Sequence, residues 1–210
     1  MEFEQLIKSR HSALNFEQGF KMTEDDFKKI LELTKLAPSP FNIQPTNYLI
    51  IQDEALKEEL SRLNFNQHKI KTASAVVIVL ANKLSIEVSE VEKMLNPMKM
   101  LKIITEDELN STLKNVQRFG DTLKSSPTQL SLDLQVSSAV SATFFMLSAQ
   151  NLGFDSCMLK IQDKEGVIKH FNIPHHLEPH LMLTIGKSVD KKRPRGYRKP
   201  FTEQVTFDKF

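Results

Sequence analysis

The amino-acid sequence predicts an α+β layered domain, and three observations lead there. Ala75-Val76-Val77-Ile78-Val79-Leu80-Ala81 is an unbroken apolar, largely β-branched run, the pattern of a strand whose sheet is covered on both faces. Helical periodicities alternate with this run and with shorter apolar runs at Tyr48 to Gln52 and Leu181 to Ile185. No Gly-x-Gly-x-x-Gly follows any of them, and only 6 glycines occur in the chain, so neither a Rossmann dinucleotide site nor a phosphate-cradling P-loop is available.

Taken in order, Phe3, Leu6 and Ile7 define a short amphipathic helix that runs into Arg10-His11-Ser12. Thr23 caps the next helix, Glu24, Asp25 and Asp26 form its acidic first turn, and Phe27, Ile30, Leu31 and Thr34 face inward. It stops before Ala37-Pro38. From Ala37 to Pro45 there are three prolines in nine residues, which predicts a stiff, extended connector. Ser39, Asn42 and Gln44 then project donors and acceptors from a pre-set backbone, suited to the polar edge of a planar heterocycle. A proline-rich loop with satisfied polar side chains fits that segment equally well.

A strand is expected over Tyr48 to Gln52, then a surface helix over Glu54 to Leu63 with Leu56, Leu60 and Leu63 inward. Ile86 to about Lys124 reads as helix broken at Pro97, with Met94, Leu95, Met98, Met100 and Leu101 crowded into core or subunit interface. The longest helix runs from about Gln129 to Leu152 and stops at Gly153. It is apolar on several sides and carries the small residues Ser137, Ser138, Ala139, Ser141 and Ala142, as a central or dimer-interface helix would. Asp155 to Leu159 is a short strand, Asp163 caps a helix through Phe171, and Leu181 to Ile185 is a further strand. The tail from Val189 to Phe210 lacks periodicity and is expected to run extended over the surface and onto a second subunit.

At 210 residues, 40% hydrophobic and 26% charged, the chain is expected to form one domain with a sizeable core. A net charge of +2 supplies no global field for nucleic acid or a membrane. The acidic N-terminal residues lack a signal-peptide apolar run, and no stretch reads as a membrane span of about 20 apolar residues. The single cysteine, Cys157, fits a reducing compartment, and the cytoplasm is the expected location. Lying within a short apolar strand, it reads as a buried, inert thiol and not as a nucleophile. His175, His176 and His180 lack partners at ligand spacing and read as loop histidines, so no metal site is expected. A bound phosphate would have to be held directly by arginine or lysine, with Arg10 and Ser12 near one end and Arg193, Arg195 and Arg198 near the other as candidates. The basic run Lys191-Lys192-Arg193-Pro194-Arg195 also permits a nucleic-acid contact, though a phosphate-holding tail explains it more simply.

Four blocks together resemble the FMN-dependent nitroreductase family: Arg10-His11-Ser12; Ala37-Pro38-Ser39 with Asn42, Gln44 and Pro45; Phe65-Asn66-Gln67-His68-Lys69; and Tyr197-Arg198-Lys199-Pro200. They occur in that family's order and spacing and span nearly the whole chain. The resemblance implies an α+β, nitroreductase-like three-layer sandwich, its central mixed sheet flanked by helices, in an intertwined homodimer with FMN at the subunit interface. It implies that Arg10, Ser12 and Arg198 hold the FMN phosphate and ribityl chain, with His11 either touching the ribityl chain or packing. Asn66 and Lys69 would lie along the pyrimidine edge of the isoalloxazine, with Pro38, Ser39 and Asn42 supplied by the other subunit. The expected activity is a ping-pong transfer of two electrons from NADH or NADPH to a nitroaromatic, quinone or related small-molecule acceptor. The same scaffold with dehalogenating or flavin-fragmenting chemistry is the alternative. The chain departs from the pattern at Thr46, where an aromatic residue is common, and at Gly196, where Arg195 offers a substitute for a second basic group. It departs again at Leu159-Lys160-Ile161, where relatives commonly place a glycine, leaving Lys160 and Ile161 as candidate contacts.

Overall fold

The β2 strand (Ala75–Asn82) is buried from Ala75 through Ala81, as an uninterrupted apolar run requires. This computed structural model describes residues 2–190 and 194–209, so the predicted roles of Lys191, Lys192 and Arg193 lie outside the described residues. β2 is flanked by β1 (Thr46–Ile51) on one side and β4 (Leu177–Gly186) on the other, and β3 (Asp155–Lys160) completes the order β1-β2-β4-β3. Every strand pair is antiparallel, which corrects the expectation of a mixed sheet. Between β3 and β4 the reason is length. The connecting helix α8 (Lys164–His170) rises roughly 10 Å whereas β3 runs roughly 20 Å, so the chain re-enters the sheet near the end it left. Among the described residues the parallel pairing is confined to an isolated bridge between Ser12 and Ser156.

The two faces of β2 carry different layers. Ala75, Val77 and Val79, with Leu181, Leu183 and Ile185 of β4, meet α2 (Glu24–Thr34) and α7 (Pro127–Asn151) through Phe27, Ile30, Ala142, Phe145 and Ala149. Val76, Ile78 and Leu80, with Met182, meet α3 (Glu54–Arg62), α4 (His68–Thr72) and α8 through Leu60, Ile70 and Val167. This period-two alternation produces the three-layer sandwich. A third cluster gathers α5 (Val88–Met100) and α6 (Glu106–Lys124) around Ile43, Ala81, Ile86 and Leu134. The N-terminal helix is α1 (Phe3–Ser9), and Thr23 closes a capping box with Asp26 at the start of α2.

Several local expectations change. Leu56 is exposed, because the inward face of α3 is formed by Lys57, Leu60 and Ser61, all buried, and Leu56 lies off that face. α5 continues through Pro97, with Leu101 N–H donating to the Pro97 carbonyl at 3.0 Å, and the break falls at Leu101 to Thr105 where Lys102 has φ +56°. Packing of Val91, Met94, Leu95 and Met98 outweighs the donor that Pro97 removes, while Met100 and Leu101 at the break are exposed and not core. The proline-rich connector is not extended throughout. Pro40–Asn42 form a 3₁₀ turn, and Phe41, Asn42 and Gln44 all have positive φ, which allows Ile43 to be buried. His180 lies within β4 and not in a loop, at the register shift opposite Val79 and Leu80, where one extra residue is accommodated.

α7 is long and apolar enough, by length and composition alone, to cross a membrane, a property the linear reading missed; in this fold it lies against the sheet as a core helix. Its outer face is bare. Leu132, Val136 and Phe144, four or eight residues apart, remain exposed. The tail contains a short helix, α9 (Phe201–Gln204), where none was expected, and every described residue from 194 to 209 is exposed, including Tyr197, Phe201 and Phe207. Phe145, fully buried with its ring 5.8 Å from that of Tyr48, joins α7 to the sheet. Phe145→Ala should cost about 3–5 kcal/mol in urea unfolding, the range for truncating a core aromatic.

Candidate active site

The predicted site residues fall into two groups. The first gathers along the free edge of β3. Ser12 bridges Ser156, with Ala13 N–H donating to the Ser156 carbonyl at 3.1 Å, which lays the Arg10-His11-Ser12 turn beside the strand. One residue further along β3, Cys157 Sγ accepts a hydrogen bond from Lys69 Nζ at 3.6 Å. Lys160 ends the same strand, and Ile161 packs on the core beneath it. Asn66, with φ +52°, turns out of α3, its N–H donating to the Ser61 carbonyl at 2.8 Å.

Two polar residues not singled out from sequence hold this edge together. Asn64 is fully buried, donating through Nδ2 to the Leu60 carbonyl at 2.7 Å and accepting from Gln162 N–H at 2.9 Å. It thereby ties the turn carrying Asn66 to the loop after Lys160 and Ile161. Lys57 is also buried, its ammonium donating to the Ala73 carbonyl at 2.6 Å and Glu54 at 2.9 Å, which fixes the end of α4 against α3. The only sequence signals were an asparagine just after a helix end and a lysine inside an otherwise surface-like helix, and neither pattern distinguishes a buried residue from a solvated one.

The second group lies across the sheet. Pro38, Ser39 and Gln44 line a cavity of about 270 Å³ with Thr34, Pro45, Thr46, Tyr48 and Ser141, beside α2 and α7. Ser39 Oγ accepts from Gln44 N–H at 3.0 Å, and the Asn42 carbonyl faces Gln44 Nε2 at 3.5 Å, so the turn is held by its own polar groups. This segment leads into β1, whereas Lys160 ends β3 and Ser12 and Lys69 contact it through Ser156 and Cys157. Three strand spacings, roughly 14 Å, separate those edges. One chain therefore does not bring Pro38, Ser39, Asn42 and Gln44 to Arg10, Ser12 and Lys69.

Arg198 stands apart as well: it is exposed, and its Nη1 donates to the carbonyls of Gly196 and Tyr197. Arg195 brings the tail close to the first group. Its Nη2 donates to the carbonyls of Ile7, Lys8 and Arg10, capping α1, so this side chain anchors the tail where the sequence reading offered it as a phosphate ligand. Three residues on, at most about 10 Å of chain, comes Arg198.

The charge pattern of the β3 edge suits an anion. Among the described residues no carboxylate forms an ion pair with Arg10, Lys69, Lys160 or Arg198, whereas Lys57 and Lys71 beside them are paired with Glu54 and Glu58. Cations, a serine hydroxyl and amide side chains at one strand edge fit a cofactor with a phosphate and a polar heterocyclic edge. Among the described residues no group of three His, Cys, Asp or Glu is placed to hold a metal. Asp190 supports the turn: burial opposes its charge, but bonds from Leu14 N–H at 2.6 Å and the Asn15 amide at 2.8 Å hold its carboxyl below the ordinary range.

A sheet covered on both faces, with cations and amides at its outer edge that no carboxylate pairs among the described residues, and with no glycine-rich cradle, defines an α+β protein whose β3 edge suits an anionic ligand. The chain belongs to the Nitroreductase family, an oxidoreductase family whose sequence model matches residues 7–187. It is 35% identical over 208 residues to MhqN of Bacillus subtilis, named as an NAD(P)H nitroreductase, covering 98% of each chain. The crystal structure of the nitroreductase ydfN from the same organism superposes with a TM-score of 0.90 at 34% identity, covering 98% of both chains. A nitroreductase from Exiguobacterium sibiricum, crystallised in complex with FMN, superposes with a TM-score of 0.89 at 25% identity over 99% of this chain and 97% of that one.

Because the Asp190 pKa is depressed in the fold, its stabilisation is present above the unfolded value and fades as pH falls through the folded one. Asp190→Asn should lower the melting temperature by a few degrees at pH 7. That difference should shrink below about pH 4, near the ordinary aspartate pKa, when both proteins are melted across a pH series.

Proposed function

We propose that this protein is a cytoplasmic, FMN-dependent NAD(P)H oxidoreductase that works as a homodimer. The observation that carries this reading is the division of the candidate site: two sets of flavin-suited side chains stand at opposite edges of one sheet, out of each other's reach within a chain. Two copies, each lending its Pro38 to Gln44 turn to the other's β3 edge, would complete two equivalent sites. The bare face of α7 at Leu132, Val136 and Phe144 and the exposed aromatics of the tail support such pairing, since both leave apolar surface uncovered in one chain. A single buried cysteine supports a reducing compartment.

FMN held by these residues would supply the two-electron chemistry of a ping-pong exchange between NADH or NADPH and a nitroaromatic, quinone or related acceptor. The chain's own residues bind, orient and tune. Arg10 and Arg198 offer planar guanidinium forks to the phosphate, and the Ser12 hydroxyl and His11 ring lie on the same turn for the ribityl chain. Asn66 can exchange hydrogen bonds with the pyrimidine edge. Lys69 places one positive charge there, which favours the negative charge that reduction leaves on that side. Lys160 and Ile161 wall the end of β3. From the partner, Pro38, Ser39, Asn42 and Gln44 close the other side.

Purified full-length protein should be a yellow dimer with about one FMN per chain, bleached by NADH or NADPH under anaerobic conditions. Truncation before Tyr197 should lose the flavin on gel filtration, because Arg198 goes with it. A colourless monomer without affinity for added FMN would sink the proposal.

A further inference from the structure

We propose that Cys157 is a positioning residue for Lys69, directing its ammonium along the β3 edge without neutralising it. This rests on the assignment of Lys69 to the flavin made above. Cys157 is 4% exposed and points to the face of the sheet that α4 covers. Lys69 Nζ donates to its Sγ at 3.6 Å, and Sγ in turn donates to the Met158 carbonyl at 3.6 Å. The thiol thus directs its proton along the strand and its lone pairs at the lysine, an orientation that suits it as an acceptor.

The choice of acceptor matters more than its presence. Lysine is a point charge on a flexible four-carbon stem and needs a partner to hold it in one place. The two other lysines beside α4 have carboxylates: Lys57 meets Glu54 at 2.9 Å and Lys71 meets Glu58 at 2.7 Å. Lys69 alone among these three meets sulfur. A thiol is a weak acceptor without formal charge in this arrangement, so it orients the ammonium and leaves its positive charge uncompensated for a bound anion. A carboxylate at this position would hold the lysine more firmly and cancel the field it exerts. The preceding residue on the strand, Ser156, holds the Ser12 turn, so adjacent steps of β3 set both the lysine and the hydroxyl.

The test uses the FMN-loaded full chain and reads the midpoint potential of the bound flavin, the Kd for oxidised FMN and the melting temperature of the flavin-free protein. Cys157→Val keeps an apolar side chain of similar size but removes the acceptor; Cys157→Ser keeps an acceptor. Cys157→Val should weaken reduced relative to oxidised FMN by about threefold to tenfold, lowering the potential by up to roughly 30 mV, since tenfold in a two-electron couple is 29.6 mV. Cys157→Ser should stay within about twofold of the parent. The double variant Lys69→Ala/Cys157→Val should match Lys69→Ala alone, because the cysteine acts only through the lysine. Should the valine variant not fold, Cys157→Ala gives the same reading. If Lys69→Ala lowers the potential but Cys157→Val changes only the melting temperature, Cys157 is a packing residue and the positioning role is overturned while the lysine assignment survives. A shift in Cys157→Ser equal to that in Cys157→Val would also overturn it. A parental potential in Lys69→Ala would overturn the assignment underneath.

Discussion

Everything in this fold follows from one strand that cannot tolerate water on either side. From Ala75 to Ala81, β2 offers no polar side chain, so both of its faces must be covered and both of its edges paired. Covering the faces consumes α2 and α7 on one side and α3, α4 and α8 on the other. Polar chemistry is then confined to the periphery. The free edge of β3 and the turn leading into β1 are what remain, and the candidate site occupies both.

That division has a physical logic for binding an anionic, planar molecule. A glycine-rich loop cradles phosphate with backbone donors, and this chain has no such loop. Long side chains must therefore do the work, and they are held by buried polar contacts on the core side. The ammonium of Lys57 fixes α4, Asn64 links the Asn66 turn to the loop beyond β3, and Asp190 grips the segment that carries Ser12. Each of these residues sets the position of one that is predicted to touch the cofactor: Lys69, Asn66 and Ser12 in turn.

Much of the fold was legible because it rests on periodicity. The β2 run, the capping box at Thr23 and the long helix ending at Gly153 all emerge where local pattern and burial agree. The failures share a cause, which is tertiary context overriding a local rule. Pro97 sits inside α5 because its neighbours are packed on a core, and the 40 to 44 turn leaves extended geometry because Ile43 is buried. The mixed sheet gave way to an antiparallel one through the lengths of connections that periodicity does not measure. In the site, the sequence named the residues that lie at the β3 edge, and the family resemblance assigned Pro38, Ser39 and Asn42 to the other subunit; the strand order that sets the two groups apart within one chain is not contained in periodicity. Lys57, Asn64 and the Cys157 contact were invisible because composition does not say which polar group turns inward.

The tail carries a consequence for the life of the molecule. From 194 to 209 every described residue is exposed, and within this stretch Arg195 reaches back to the carbonyls at the end of α1. A single chain thus presents an aromatic-bearing extremity, the kind of segment that cellular proteases grip first. In the homodimer proposed above, assembly would withdraw that handle.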